Sequence, residues 1–245
     1  MSGDITYSHS GLAFGDEFTY VVSDNLGQES NEARVIIENL PGGMVAHYEA
    51  DALVEEADGS VSVWGDQSGT GNDLTASGDV QLLPDTLNGH AVLDFDGDGD
   101  VLARETIGAG MPLGASDRSV YFVVRYEGLG SGGFAYGQHS SNNTFGLQIE
   151  NEGLLRVNGH GPFNDFVSGV TGTDAGWIIQ SVVVGNNDVI HAVDGATIAS
   201  YSHTYNTLAG PMILGADLDE DPYVDIQVAA LLVYDRALSL SLIHI

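Results

Sequence analysis

The chain has no cysteine and no lysine, and its six basic residues, all arginine, face 35 aspartates and glutamates. Without cysteine there is no disulfide framework, no thiolate metal site and no cysteine nucleophile. A net charge of -29 repels phosphate backbones and anionic lipid surfaces, so nucleic acid is not an expected partner. No apolar run approaches the roughly 20 residues that cross a bilayer, so membrane insertion is not expected either. The opening Met1 to Ser10 has neither the basic nor the apolar region of a signal peptide. Helical periodicity is nearly absent, and a single turn around Asp51 to Val54 is the one helix the pattern predicts. The eight histidines are scattered, with no pair at helical ligand spacing, which argues against zinc.

What the chain does have is glycine, 33 residues of it, and short apolar segments between polar turns. Residues 1–40 predict strands at Ile5 to Tyr7, Glu17 to Val22 and Ala33 to Glu38, with Phe18, Tyr20 and Val22 at period two on one face. Asn39-Leu40-Pro41-Gly42-Gly43 then reads as a linker. Beyond it, strands are predicted at Ser60 to Trp64, Ala91 to Phe95, Ser119 to Tyr126, Phe145 to Glu150, Trp177 to Val184, Val189 to Val193 and Asp225 to Tyr234. Their number and spacing argue for a two-sheet sandwich. The acidic balance suits a salt-adapted protein, one that lives with calcium, or a specific acidic site that accounts for much of the charge, because self-repulsion on this scale needs screening or neutralisation.

Two stretches carry a family resemblance: WGDQSGTGNDLT from Trp64 and VAALLVYDRALS from Val228. With MVAHYEADAL, LNGHAVLDFDGDGDVL, RSVYFVVRYEG, FGLQIENEGLLRVNG, WIIQSVVVGNNDVIHAVDGATIA and MILGADLD in order between and around them, residues 44–239 resemble the laminin-G-like, concanavalin A-like jelly-roll family. The resemblance implies an all-β, two-sheet antiparallel jelly-roll sandwich. It also implies non-catalytic binding of a glycan or extracellular protein, optionally assisted by calcium, outside the cell or at its surface. Residues 1–40 are similar to the last strands of a bacterial cadherin-like or Ig-like tandem repeat, so the chain is expected to be part of a larger adhesin-like surface or secreted protein. The closing Leu240 to Ile245 resembles translated adapter sequence and does not continue the family pattern. Ala230 stands where the family often has a glutamate, which removes any role of that carboxylate in ordering an ion or loop.

Several motifs are candidates for chemistry. Asp94, Asp96, Asp98 and Asp100 alternate along DFDGDGD, and Glu105 falls at the twelfth position of an EF-hand count, although strands rather than helices flank it. Asp217, Asp219 and Asp221 form a second acidic loop able to share a calcium ion. In the Trp64 loop, Asp66, Ser68, Asn72 and Asp73 either meet a ligand or cap their own backbone, and the second reading is favoured. Sugar recognition wants an exposed aromatic face beside hydrogen-bonding groups. Tyr201, His203, Tyr205 and Asn206, with Phe163 and Asn164, are the candidates, whereas Trp64 and Trp177 are expected in the core. The strand pattern of paired carboxylates used by retaining glycanases begins at Glu49 and Asp51 but breaks at Ala52 and Leu53. No G-x-S-x-G elbow occurs. The chain is therefore expected not to be an enzyme, the alternatives being a spacer without its own ligand and a polysaccharide-cleaving jelly roll.

Overall fold

Two-residue turns with left-handed backbone set the strand boundaries. Asn88-Gly89, Asn186-Asn187 and Asp194-Gly195 all have positive φ, as the hairpin turn that matches strand twist requires. The computed structural model describes residues 16–20, 33–37, 42–52, 54–55, 60–173, 175–219 and 222–238. The chain divides into two units, Met1–Gly42 and Gly43–Ile245. In the first, β1 (Asp16–Tyr20) and β2 (Ala33–Ile37) pair antiparallel, with Phe18 opposite Val35. The strand expected at Ile5 to Tyr7 lies outside the described residues.

The second unit begins with β3 (Met44–Glu49), a short 3-10 turn at Ala50–Ala52, β4 (Val54–Glu55), β5 (Val61–Trp64), β6 (Leu74–Ser77) and β7 (Gln81–Leu87). It continues with β8 (His90–Asp96), β9 (Val101–Arg104), β10 (Arg118–Tyr126), β11 (Gly132–Gly137), β12 (Thr144–Ile149) and β13 (Leu154–Asn158). The last elements are β14 (Phe166–Thr171), β15 (Trp177–Gly185), β16 (Asp188–Val193), β17 (Ala196–Ser202), β18 (Met212–Ala216) and β19 (Asp225–Tyr234). Sheet I runs β17-β16-β15-β10-β19-β8-β7, and β3 also pairs with β19; sheet II runs β14-β13-β12-β11-β18-β9-β6-β5-β4. All pairings are antiparallel, which makes the unit a two-sheet antiparallel jelly-roll sandwich. The expected helical turn is the one-turn 3-10 segment.

Between the sheets lie Tyr48, Trp64, Phe95, Phe122, Tyr126, Phe134, Tyr136, Phe145 and the Leu, Val and Ile residues that alternate with outward positions. Trp64 is fully buried, sits 5.3 Å from the Tyr48 ring and donates its indole N–H to the Glu49 carbonyl. A polar line also crosses the interior: the Tyr126 hydroxyl donates to Gln180, whose amide nitrogen meets His191 Nε2 at 3.1 Å. Burial pushes the His191 imidazole down to about 4, so it stays neutral and can accept that bond.

The outward face of sheet I falls into three zones. Tyr121, Leu232 and Tyr234 pack with Leu238, which the segment after β19 folds back over them. Tyr234 is therefore buried outside the sandwich, edge-on to Tyr121, and not between the sheets. Next comes a cross-strand row, Glu49–Ala230–Val123–Ile179. The third zone is polar: Asp94, Gln227, Arg125 and Trp177 follow one another across the strands. Trp177 is thus half-buried on the outward face, a correction to its expected core position, because Ile178, Val182 and Val184 take the inward positions of β15.

Candidate functional site

The loops β11–β12, β13–β14 and β17–β18 meet at one end of the sandwich, and Asn142 ties them together. Its backbone is left-handed (φ 62°). Its amide side chain donates to the Thr204 carbonyl at 3.0 Å and accepts from His203 Nε2 at 2.9 Å, while its backbone N–H donates to His160 O at 3.2 Å. Asn206 donates to Asn143 at 3.0 Å, and Asn164 donates to Ser141 Oγ at 3.1 Å and His160 O at 3.0 Å. Asp165 accepts the amides of Gly159 and Gly161, fixing the turn that carries Phe163.

Beneath this rim the aromatic side chains form a seam between the sheets. Phe166 on β14 stacks on Tyr201 of β17 with ring centroids 3.7 Å apart and 17° between planes. His203 sits edge-on to both Phe166 and Tyr205, and Tyr205 meets Phe145 at 4.9 Å. The Tyr201 and Tyr205 hydroxyls are 3.2 Å apart, and burial raises both phenols well above the usual range. Arg118 supports the seam from below. It is fully buried, lies 4.7 Å from the Phe145 ring centre, and donates to the Tyr136 and Thr207 hydroxyls and to the Ser116 and Gly114 carbonyls.

The structure therefore gathers Tyr201, His203, Tyr205, Asn206, Phe163 and Asn164 at one end, but assigns them different work. Tyr205 is only 2% exposed and cannot offer a face to a ligand, which corrects the expectation from sequence. Tyr201 already stacks on Phe166. Phe163 is 86% exposed at the loop tip, with Asn164, His160 and Ser141 nearby in the same network. The sequence reading missed Asn142, Ser141, His139 and His160; the His139 and His160 rings lie 4.2 Å apart, edge to face. The asparagine pair in Ser-Ser-Asn-Asn was the available signal, since asparagine tolerates left-handed backbone.

The acidic turns are engaged elsewhere. Asp94 accepts from Gln227, and Asp96 caps the Asp98 amide across the turn. Asp100 is nearly buried, accepts the Asp79 and Asp96 amides, and has its pKa raised by burial and by the charges of Asp96 and Asp79. Glu105 lies exposed beyond β9, so the strand separates it from the aspartates and no EF-hand loop closes. Gly97, with φ +77°, passes so close to Asp225 that a Cβ would sit 2.9 Å from its backbone nitrogen. In the second acidic loop Asp217 pairs with Arg156 at 3.0 Å and accepts from Gln148 and Asn158. Leu218 anchors that loop on the outward face of sheet II with Val101, Ala135 and Ile213. Asp219 reaches His139 at 3.4 Å, and Asp221 lies outside the described residues. Among the described residues no three histidine, aspartate or glutamate side chains gather in a way that could hold a metal ion.

The Trp64 loop is a self-capped turn. Asp66 accepts from the His47, Ser68 and Asn72 amides and from the Ser68 and Thr70 hydroxyls. Burial opposes its charge, yet these donors outweigh it and hold the carboxyl below the usual range. Asn72, fully buried, donates to Val45 O and Thr70 Oγ1 and accepts from Gly108.

A jelly-roll sandwich with a loop rim at one end defines the general class. The family model described as the concanavalin A-like lectin/glucanases superfamily matches residues 95–244, and the chain belongs to that superfamily. No curated protein matches the sequence. Among solved structures, the binding domain of paraclostridial mosquitocidal protein 1 is 15% identical with a TM-score of 0.62, covering 81% of this chain and 50% of that one. Domain 4 of an extracellular arabinanase from Geobacillus stearothermophilus, solved with arabinotriose, is 18% identical with a TM-score of 0.59, covering 81% of this chain and 95% of that one. A Trypanosoma rangeli sialidase in complex with sialic acid is 16% identical with a TM-score of 0.60, covering 83% of this chain and 32% of that one. The chain thus spans half of the toxin domain and a third or so of the sialidase, but nearly the whole arabinanase domain. At these identities the likeness is one of fold.

Proposed function

We propose that the second unit is a non-catalytic module that binds a neutral glycan at its loop rim, within a larger extracellular or surface protein. The observation that carries this reading is Phe163, whose ring is 86% exposed beside a fixed network of amide and imidazole groups. An exposed ring with hydrogen-bonding neighbours is what a sugar face needs. The charge of -29 favours uncharged sugars over sulfated or uronic ones. Similarity to an arabinanase domain solved with arabinotriose supports arabinose-containing oligosaccharides as the first class to try.

The rim carboxylates have structural partners, which favours binding over cleavage: Asp165 holds two loop amides and Asp219 faces His139. In this reading the acidic turns close loops and keep the surface soluble, and calcium is not required. Among the described residues no helix is long and apolar enough to cross a membrane. The test is a glycan array of neutral and anionic oligosaccharides, run in calcium and in chelator. Retention of neutral glycans in both conditions is expected. Retention of none, or of anionic ones alone, would refute the proposal.

A further inference from the structure

Between the Tyr121–Tyr234 zone and the Trp177 zone, the outward face of sheet I contains a depression of about 460 Å³. Its floor follows from register. Ala230 on β19 lies opposite Val123 on β10, Val123 lies opposite Ile179 on β15, and Ala230 lies opposite Glu49 on β3. Alternate residues Phe122 and Val124 face the core, so Val123 and its row face out. A β-bulge at Val123/Val124 admits Ala229 as an extra residue, and two alanines in succession leave the face low where larger side chains would fill it. Ala91 and Leu87 complete an apolar lining.

The polar part of the lining is acidic. Glu49 ends the apolar row, and Asp51 and His90 stand beside it on the 3-10 turn and β8. Glu49 accepts from His47 at 2.9 Å, and Asp51 accepts from His90 at 2.6 Å and from the Ala91 amide at 2.8 Å. These contacts orient both carboxylates; the amide of Ala91, followed by the His90 bond, holds the Asp51 carboxyl below its usual range, so it is ionised at neutral pH. Among the described residues no arginine lines the depression, and the chain has no lysine.

We propose that this depression is a docking site for a lysine side chain on a basic segment of a partner protein. A lysine combines a four-carbon apolar stem with a compact cation. The stem would lie over Ala230 towards Val123, with Ile179 at the far end of the depression, and the ammonium would meet Glu49 and Asp51. A sugar suits the site poorly, because among the described residues the floor offers no hydrogen-bonding side chain and the lining no phenyl, phenol or indole ring. A second copy of this chain is disfavoured by its like charge. The site is separate from the loop rim and does not rest on glycan binding there.

The test uses a fluorescent peptide of alternating lysine and glycine, and the same peptide with every lysine acetylated, measured by anisotropy with the whole chain at about 0.15 M salt. Ala230→Leu fills the floor without altering charge. Glu49→Gln with Asp51→Asn removes the two carboxylates, and Glu150→Gln with Glu152→Gln removes the same charge from the β12–β13 turn. Ala230→Leu and the Glu49/Asp51 pair are each expected to weaken binding about tenfold, the Glu150/Glu152 pair to leave it within about twofold, and acetylation to abolish it. Melting curves of each variant establish that it folds, and the carboxylate pair serves should Ala230→Leu fail to. Equal losses in the two charge-removed pairs would show diffuse attraction and overturn the site, as would wild-type binding by folded Ala230→Leu. A chito-oligosaccharide with free amines that displaces the peptide at lower concentration would likewise overturn the lysine assignment.

Discussion

The loop rim and the outward face of sheet I are built from opposite materials. At the rim, rings are plentiful but mostly engaged: Tyr201 on Phe166, Tyr205 on Phe145, His203 against both Phe166 and Tyr205. On the sheet face the bulk lies to either side, in Tyr121–Tyr234 and Trp177, and two alanines leave space between β3, β19 and β10. A surface becomes available either by raising one side chain above a rigid base, as with Phe163, or by omitting side chains from a flat one. The rim's rigidity is a consequence of its polar ties and its buried arginine, whereas the sheet face inherits its rigidity from the ladder.

That difference predicts that the rim depends on its supports. The largest effect is expected from Arg118→Met, which leaves the Gly114 and Ser116 carbonyls and the Thr207 and Tyr136 hydroxyls without their donor. A loss of about 3 kcal/mol or more in denaturant-measured stability is expected, since buried acceptors without donors are costly. A loss below about 1 kcal/mol would show that the rim does not rest on this residue. Next, Phe166→Ala removes the seam between β14 and β17 and should lower stability by about 2 kcal/mol, less than a fully buried ring because Phe166 is half-buried. The same variant should abolish glycan retention while leaving binding of the lysine peptide unchanged. Loss of both would mean that the two regions are not independent.

A smaller effect is expected at the acidic turns. Asp225 has its pKa raised by burial and by the charges of Glu127, Asp94 and Asp96. A carboxyl with a raised folded-state pKa binds its proton more readily when folded, so its ionisation costs stability as pH rises through that pKa. Asp225→Asn should therefore stabilise the protein slightly at neutral pH, by well under about 1 kcal/mol given solvent screening. The gain should fade as the pH falls through the raised folded-state pKa and be gone below the unfolded carboxylate range. A destabilised variant at neutral pH would mean that the carboxylate has a partner, such as a bound cation.

Much of the fold could be read from the sequence. Long apolar runs such as those of β10, β15 and β19 are marked by β-branched residues, and asparagine and glycine pairs mark the hairpin turns. Strands such as β11, Gly-Gly-Phe-Ala-Tyr-Gly, were not visible, because glycine is depleted in strands and the segment reads as a loop. Facing was harder than existence. β15 and β19 carry apolar residues on both faces, which blurs the alternation, so Trp177 and Tyr234 could not be assigned to a side. The rim was legible as a neighbourhood but not as a surface, since only packing reveals that Tyr205 is buried and Phe163 is free. The depression was invisible for a simpler reason: it is made by the small size of Ala229 and Ala230 in register with Val123, and register appears only in three dimensions.

The central claim rests on Phe163, and titrating the best neutral oligosaccharide into wild type and Phe163→Ala tests it most directly. Because the ring is 86% exposed, melting should change by no more than about 0.5 kcal/mol, while affinity falls about tenfold or more. Equal affinity in the two proteins would contradict the account and place glycan binding, if any, away from the rim.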